Sequence, residues 1–196
     1  MTRVGCHHRS TGETDVEVVL SLDDPAAIVD ICTGVGFFDH MLNAMAFHGA
    51  LGLKIRAQGD LEVDAHHLVE DVGICLGRAL RAAIGEGVGI ERFGQVLLPM
   101  DESLVTIALD VGGRAYLCCH LDLPVRQLGA FHTDLVPEFL RAFCDAGGVT
   151  LHLHKCAGGD AHHLIEAAFK GLGRSLGQAV RVTGKRVPST KGVMDS

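Results

Sequence analysis

The run His66-His67-Leu68-Val69-Glu70 returns as His162-His163-Leu164-Ile165-Glu166, 96 residues further along a chain of 196. Imidazole nitrogen and carboxylate oxygen are ligands for divalent transition metals. On a helix, residues three and four apart share a face, so each histidine of a doublet lies beside the glutamate of its own copy. Adjacent helical residues point about 100° apart, so the two histidines of one doublet suit two different ions better than one. A pair of surface histidines near a helix start would explain either copy alone. Two copies in register, one in each half of the chain, favour a paired metal site.

Other residues could complete such a site. His40 and His48 are eight apart and fall on roughly the same side of one helix. Either could ligate metal or carry protons; either alone could equally be an ordinary surface or core histidine. Basic residues recur beside glycines and turns: Arg92 in Glu-Arg-Phe-Gly, Arg114 in Gly-Gly-Arg, and Lys191 in Ser189-Thr190-Lys191-Gly192. Arginine forks and lysine ammonium groups suit a phosphate. The last of these segments is not a P-loop, because the Gly-x-x-x-x-Gly spacing before it is missing.

These residues must be positioned by a folded scaffold. Apolar residues make up 47% of the chain and charged residues 21%, which supports a substantial core and argues against wholesale disorder. The net charge of −7 argues against nucleic acid as the main partner. The seven cysteines form no Cys-x-x-Cys pair, so a zinc ribbon is not expected and reduced thiols in a cytoplasmic protein are. No apolar run reaches transmembrane length, and the N-terminus has no signal-peptide pattern.

The duplication reaches beyond the metal motif. Asp64-Ala65 precedes one copy and Asp160-Ala161 the other; Leu76-Gly77-Arg78 matches Leu172-Gly173-Arg174, and Ala46-Phe47 matches Ala142-Phe143, all at the same offset. Periodicity predicts strands over Val4–Arg9, Asp15–Leu22, 27–33 and Leu53–Ala57, and helices over Phe37–Ala50 and Ala65–Ile84, the second capped by Asp64. The second half predicts strands over Gln95–Pro99, Leu104–Val111, Ala115–Leu121 and Val149–Lys155, with a hairpin turn at Gly112-Gly113. Its helices span Asp134–Ala146, with Pro137 in the first turn, and Ala161–Val180, capped by Asp160. The expected fold is α+β, a tandem duplication of a module in which two helices back a four-stranded sheet. Residues 1–88 form the first repeat, 89–184 the second, and 185–196 a mobile or ligand-ordered tail.

At this point the chain resembles the imidazoleglycerol-phosphate dehydratase family over nearly its whole length. The resemblance rests on Arg9-Ser-Thr-Gly-Glu13-Thr14, Thr33-Gly-Val-Gly-Phe-Phe-Asp-His40-Met-Leu, Asp64-Ala-His-His-Leu-Val-Glu-Asp71, Pro99-Met-Asp-Glu-Ser, Gly113-Arg114, the second His-His-x-x-Glu with Phe169-Lys170, and Pro188-Ser-Thr-Lys-Gly192. It implies the same tandem fold and a hydro-lyase of histidine biosynthesis that converts D-erythro-imidazole glycerol phosphate to imidazole acetol phosphate with two Mn²⁺ ions. It also implies self-assembly into a shell of twenty-four subunits with active sites at subunit interfaces. Carried over by position, one ion would be held by His40, His67, Glu70 and His163, and the other by His66, His162, Glu166 and the residue at 138. Many relatives have histidine at that last position, where this chain has Glu138, a carboxylate that can still ligate. Arg92, Arg114, Lys170, Ser189 and Lys191 would bind the phosphate, and Glu13 and His48 would move protons.

Two metals suit this chemistry. The departing proton sits on a carbinol carbon with no carbonyl beside it. Stabilising the substrate ring as a metal-bound imidazolate would let it expel the neighbouring hydroxyl through a diazafulvene-like intermediate. A dinuclear hydrolase and a metal-storage shell would also use the histidines, but neither explains the remaining motifs.

Overall fold

The computed structural model describes residues 2–24, 26 and 28–194. In the first repeat β1 (Arg3–Ser10), β2 (Thr14–Leu22), β3 (Val29–Cys32) and β4 (Gly52–Gly59) form a sheet in the order β1-β2-β4-β3. Helix α1 (Gly36–Gly49) links β3 to β4, and α2 (His66–Ile84) follows. The second repeat has β5 (Phe93–Met100), β6 (Ser103–Asp110), β7 (Tyr116–His120), α3 (Leu135–Gly147), β10 (Thr150–Ala157) and α4 (Ala161–Val180), with sheet order β5-β6-β10-β7. The two topologies match, as duplication requires. In each sheet only the last pair, β3 with β4 and β7 with β10, is parallel, because a helix carries the chain across between them.

Binary patterning builds these elements. In β2, Val16, Val18, Leu20 and Leu22 alternate inward and are fully buried. In α1 the expected face of Met41, Leu42, Met45 and Ala46 is buried. Helix α2 lies on β1 and β2, and α4 lies on β5 and β6. The two helix layers then pack on each other, α1 against α4 and α2 against α3, so the repeats share one core.

Glycines set how closely these pairs approach. A Cβ on Gly173 would run into the Met45 carbonyl oxygen, and one on Gly77 would come within 2.6 Å of the Phe143 carbonyl oxygen. Gly77 and Gly173 are equivalent positions of the two repeats, so each helix pair closes on the same kind of seam.

Four expectations change. Gly112-Gly113 is not a hairpin turn: β10 inserts between β6 and β7, so the glycines turn the chain out toward the sheet edge, with Gly113 at φ 97°. The strand expected over 27–33 is shorter, Val29–Cys32, and residue 27 lies outside the described residues. The α2 cap position is Ala65, although the Asp64 carboxylate still accepts the His66 N–H at 2.7 Å. A small hairpin of β8 (Gln127–Leu128) and β9 (Phe131–His132) has no counterpart among the described residues of the first repeat and buries Phe131 against Phe37 and Phe38. Asp160 caps α4 as expected, accepting the His163 N–H at 3.0 Å.

The segment leading into the tail is tied to the start of the second repeat. Thr183 N–H donates to Gly89 O, Gly89 N–H donates to Arg186 O, and Ile90 bridges Val182. All seven cysteines are unpaired, and burial raises the Cys75 thiol to about 11 and the Cys144 thiol to about 12. Among the described residues no helix is long and apolar enough to cross a membrane.

Candidate metal centre and phosphate cleft

The α1–α4 seam aligns the first turns of the two helices. It brings His40 of α1 over His162 and Glu166 of α4, with the three ligand atoms all within 4.8 Å of one another. His162 Nε2 lies 3.1 Å and His40 Nε2 3.5 Å from Glu166 Oε2. Lys170, one turn further on, holds the other oxygen, Oε1, at 2.8 Å. Glu166 is buried, which by itself raises a carboxyl pKa. The hydrogen bond and charge of Lys170, with His40 and His162, outweigh that and hold it below its ordinary value. An ionised carboxylate between two imidazoles is a ligand set that fits a divalent transition ion.

The second histidine of each doublet is oriented by an acid that no sequence motif assigned, Asp60 for His67 and Glu102 for His163. His67 Nδ1 meets Asp60 Oδ2 at 3.0 Å and lies 3.7 Å from Glu13 Oε2, in the β1–β2 turn. His163 Nδ1 meets Glu102 Oε2 at 2.9 Å, with Asp101 Oδ2 3.8 Å from its Nε2; both acids lie in the β5–β6 turn. An ionised carboxylate only accepts, so in each pair Nδ1 donates and Nε2 is left as the ligating nitrogen. The hydrogen bond to Asp60 raises the His67 pKa, that to Glu102 raises the His163 pKa, and Glu102 is lowered to about 2. The rings within each doublet stand nearly perpendicular, at 88° and 80°, so neighbouring imidazoles do point to different places. The sequence signal for Asp101 and Glu102 was present in Pro99-Met-Asp-Glu-Ser but carried no spacing to a histidine.

The remaining expected ligands are apart from the His40 cluster. Among the described residues, His66, His67, Glu70, Glu138 and His163 belong to no three-ligand group within the chain. Glu138, in the first turn of α3, is engaged by Arg141 at 2.6 Å. Glu70 is half-buried on α2, near Arg9, which pairs with the buried Asp71 at 2.7 Å. His66 lines an apolar cleft with Phe37, and Phe37 touches His162 edge-on at 5.3 Å, so both doublets border one end of the helix layers.

Four of the five expected phosphate ligands meet: Arg92, Arg114, Ser189 and Lys191 line one cleft. Arg92 forks onto Asp110 at 2.8 and 2.9 Å and donates to the Pro188 carbonyl at 3.0 Å, which pins the tail in place. Lys191 N–H donates to Ser189 Oγ at 3.2 Å, turning the tail at the cleft. The fifth residue, Lys170, is instead at Glu166. Arg92 precedes β5 and Asp101 follows it, so the cleft and the His163–Glu102 pair are separated by the length of that strand, roughly 30 Å. His48 is also distant: it sits at the end of α1, eight residues or about 12 Å beyond His40. Burial lowers its pKa first, then the charges of Lys170 and Arg174.

The scaffold is a duplicated α+β fold that carries a His–carboxylate pair in each repeat and a cleft lined by two arginines and a lysine. The imidazoleglycerol-phosphate dehydratase family model matches residues 33–176. The imidazoleglycerol-phosphate dehydratase of Moorella thermoacetica is 49% identical over 99% of this chain and 100% of its own, and that of Desulforamulus reducens 50% identical over 99% and 100%. The crystal structure of the Staphylococcus aureus enzyme superposes with a TM-score of 0.83 at 38% identity, covering 92% of this chain and 99% of that one. The chain belongs to the imidazoleglycerol-phosphate dehydratase family, a family of hydro-lyases.

Proposed function

We propose that the chain dehydrates D-erythro-imidazole glycerol phosphate to imidazole acetol phosphate in L-histidine biosynthesis, with manganese, in the cytoplasm. The observation that carries the metal dependence is the convergence of His40, His162 and ionised Glu166, with Nε2 of His67 and of His163 left to ligate by carboxylates behind them. When bound, two divalent ions would supply Lewis acidity that favours the imidazolate form of the substrate ring.

The chain's own residues do the rest. Lys170 keeps Glu166 ionised, and Asp60 and Glu102 fix the tautomers of His67 and His163. Glu13, 3.7 Å from His67 Nδ1, would take the proton from the carbinol carbon next to the one that loses hydroxyl. His48, its pKa depressed, is largely neutral near pH 7 and able to accept one. Arg114, Ser189 and Lys191 would bind the phosphate, and Arg92 holds the segment that presents the last two.

A three-carbon chain between ring and phosphate cannot span roughly 30 Å, so one chain does not hold one substrate at both places. The reading therefore includes a closed homo-oligomer in which metal ligands of one copy face the phosphate cleft of another. Metal analysis beside a dehydratase assay, with and without added Mn²⁺, tests the proposal. Stripping should abolish turnover and Mn²⁺ should restore it. His163→Ala should lose both metal and activity. Undiminished turnover by stripped protein, or release of free phosphate from the substrate, would refute it.

A further inference from the structure

The outer face of the second sheet carries a cluster that the proposed reaction does not use. Strands β7 and β10 run parallel, with Cys118 opposite His152 and His120 opposite His154. Leu151 and Leu153 of β10 are fully buried, and Leu117 and Cys119 of β7 pack on the core. The alternate residues Cys118, His152 and His154 therefore project from the face away from the helices. Their ligand atoms lie within 4.8 Å of one another, and Cys118 Sγ is 3.8 Å from His154 Nε2.

We propose that Cys118, His152 and His154 form a second metal site, for Zn²⁺ or an ion of its class such as Co²⁺, separate from the reaction centre and on the opposite side of the sheet. The spacing fits. With Zn–S near 2.3 Å and Zn–N near 2.0–2.1 Å, a sulfur and a nitrogen on one tetrahedral ion are about 3.5 Å apart, a few tenths from what the chain already holds. The ligand chemistry selects the ion: thiolate with imidazole suits zinc, whereas manganese favours oxygen. On binding, the Cys118 thiol proton passes to solvent and the sulfur donates as thiolate. His120, with its ring centroid 5.1 Å from that of His154, stands beside the fourth position. Strand β7 is the edge of its sheet, so such an ion would clamp that edge to β10.

The test uses the manganese-loaded protein titrated with Co²⁺. The proposed reaction centre has only nitrogen and oxygen ligands, so a near-ultraviolet sulfur-to-cobalt charge-transfer band reports a cysteine site alone. The band should saturate at one cobalt per chain, disappear in Cys118→Ser, and need at least tenfold more cobalt in His154→Asn, while both variants keep dehydratase activity with Mn²⁺. Independently of any variant, Zn²⁺ should protect Cys118 from alkylation in the wild-type protein while the exposed Cys6, Cys32 and Cys156 still react. Absence of the band in wild type, a band undiminished in Cys118→Ser, or equal alkylation of Cys118 with and without Zn²⁺ would overturn the site.

Discussion

Glu102 and Asp60 act through another residue: each holds Nδ1 of a doublet histidine and leaves its Nε2 as the nitrogen the proposed metal would use. Carboxylates behind a ligating histidine typically contribute 10–100-fold to metal affinity. Glu102→Gln should accordingly weaken Mn²⁺ binding by about that factor without displacing the helix, as read by calorimetric titration. The same pair sets a pH signature in metal-stripped protein. His163, raised above 6.5, contributes stability that is full below pH 6.5 and lost as pH rises through its elevated folded value. Glu102, lowered from 4.5 to about 2, contributes stability that is full above pH 4.5 and lost as pH falls toward about 2. The melting-temperature advantage of wild type over Glu102→Gln should be largest between pH 4.5 and 6.5 and shrink on both sides. A difference that stays undiminished well above pH 6.5 and down toward pH 2 would show that the pair does not titrate as its geometry implies.

At the scale of elements, the α1–α4 seam decides whether His40 meets His162 and Glu166. Gly173 backs onto the Met45 carbonyl, so even one methyl group there forces the helices apart. Gly173→Ala should destabilise the fold by about 1–3 kcal/mol, seen as a lower thermal midpoint, and should also loosen metal at His40–His162–Glu166. The equivalent change Gly77→Ala strains the α2–α3 seam against Phe143 O and should cost similar stability, with its effect on metal confined to the other helix pair. Repetition explains the contrast: the same local solution is used twice, but among the described residues only the α1–α4 copy brings a third candidate ligand, His40, to its His–Glu pair.

For the whole molecule, the proposed assembly follows from the strand-length separation between the Arg92–Arg114–Ser189–Lys191 cleft and the His163–Glu102 pair. Arg114→Ala and His163→Ala should each be inactive alone, one for want of phosphate binding and one of metal. Co-assembled from both variants, the protein should regain part of its activity, because some sites would pair an intact cleft from one copy with intact metal ligands from another. Recovery no greater than the sum of the separate variants would place cleft and metal ligands of each site in the same copy.

Much of this was legible along the chain. The twin His-His-x-x-Glu motifs, the strand and helix patterns and the Asp160 cap are local properties, since a residue's type and its spacing to near neighbours determine which face it shares. Arg92, Arg114 and Lys191 stood out as basic residues beside glycines and turns, the family resemblance joined them with Ser189 in one phosphate set, and the structure added that Arg92 also ties down the tail. Other features had no local signature. Strand order follows from where a crossover returns, so Gly112-Gly113 looked like a hairpin until β10 occupied the place beside β6. The meeting of His40 with Glu166, the attachment of Lys170 to Glu166 and the choice of Asp60 and Glu102 as histidine partners depend on which faces pack and how closely. Two side chains far apart in the chain acquire a relation only when burial of the intervening core brings their elements together, and spacing along the backbone does not encode that distance.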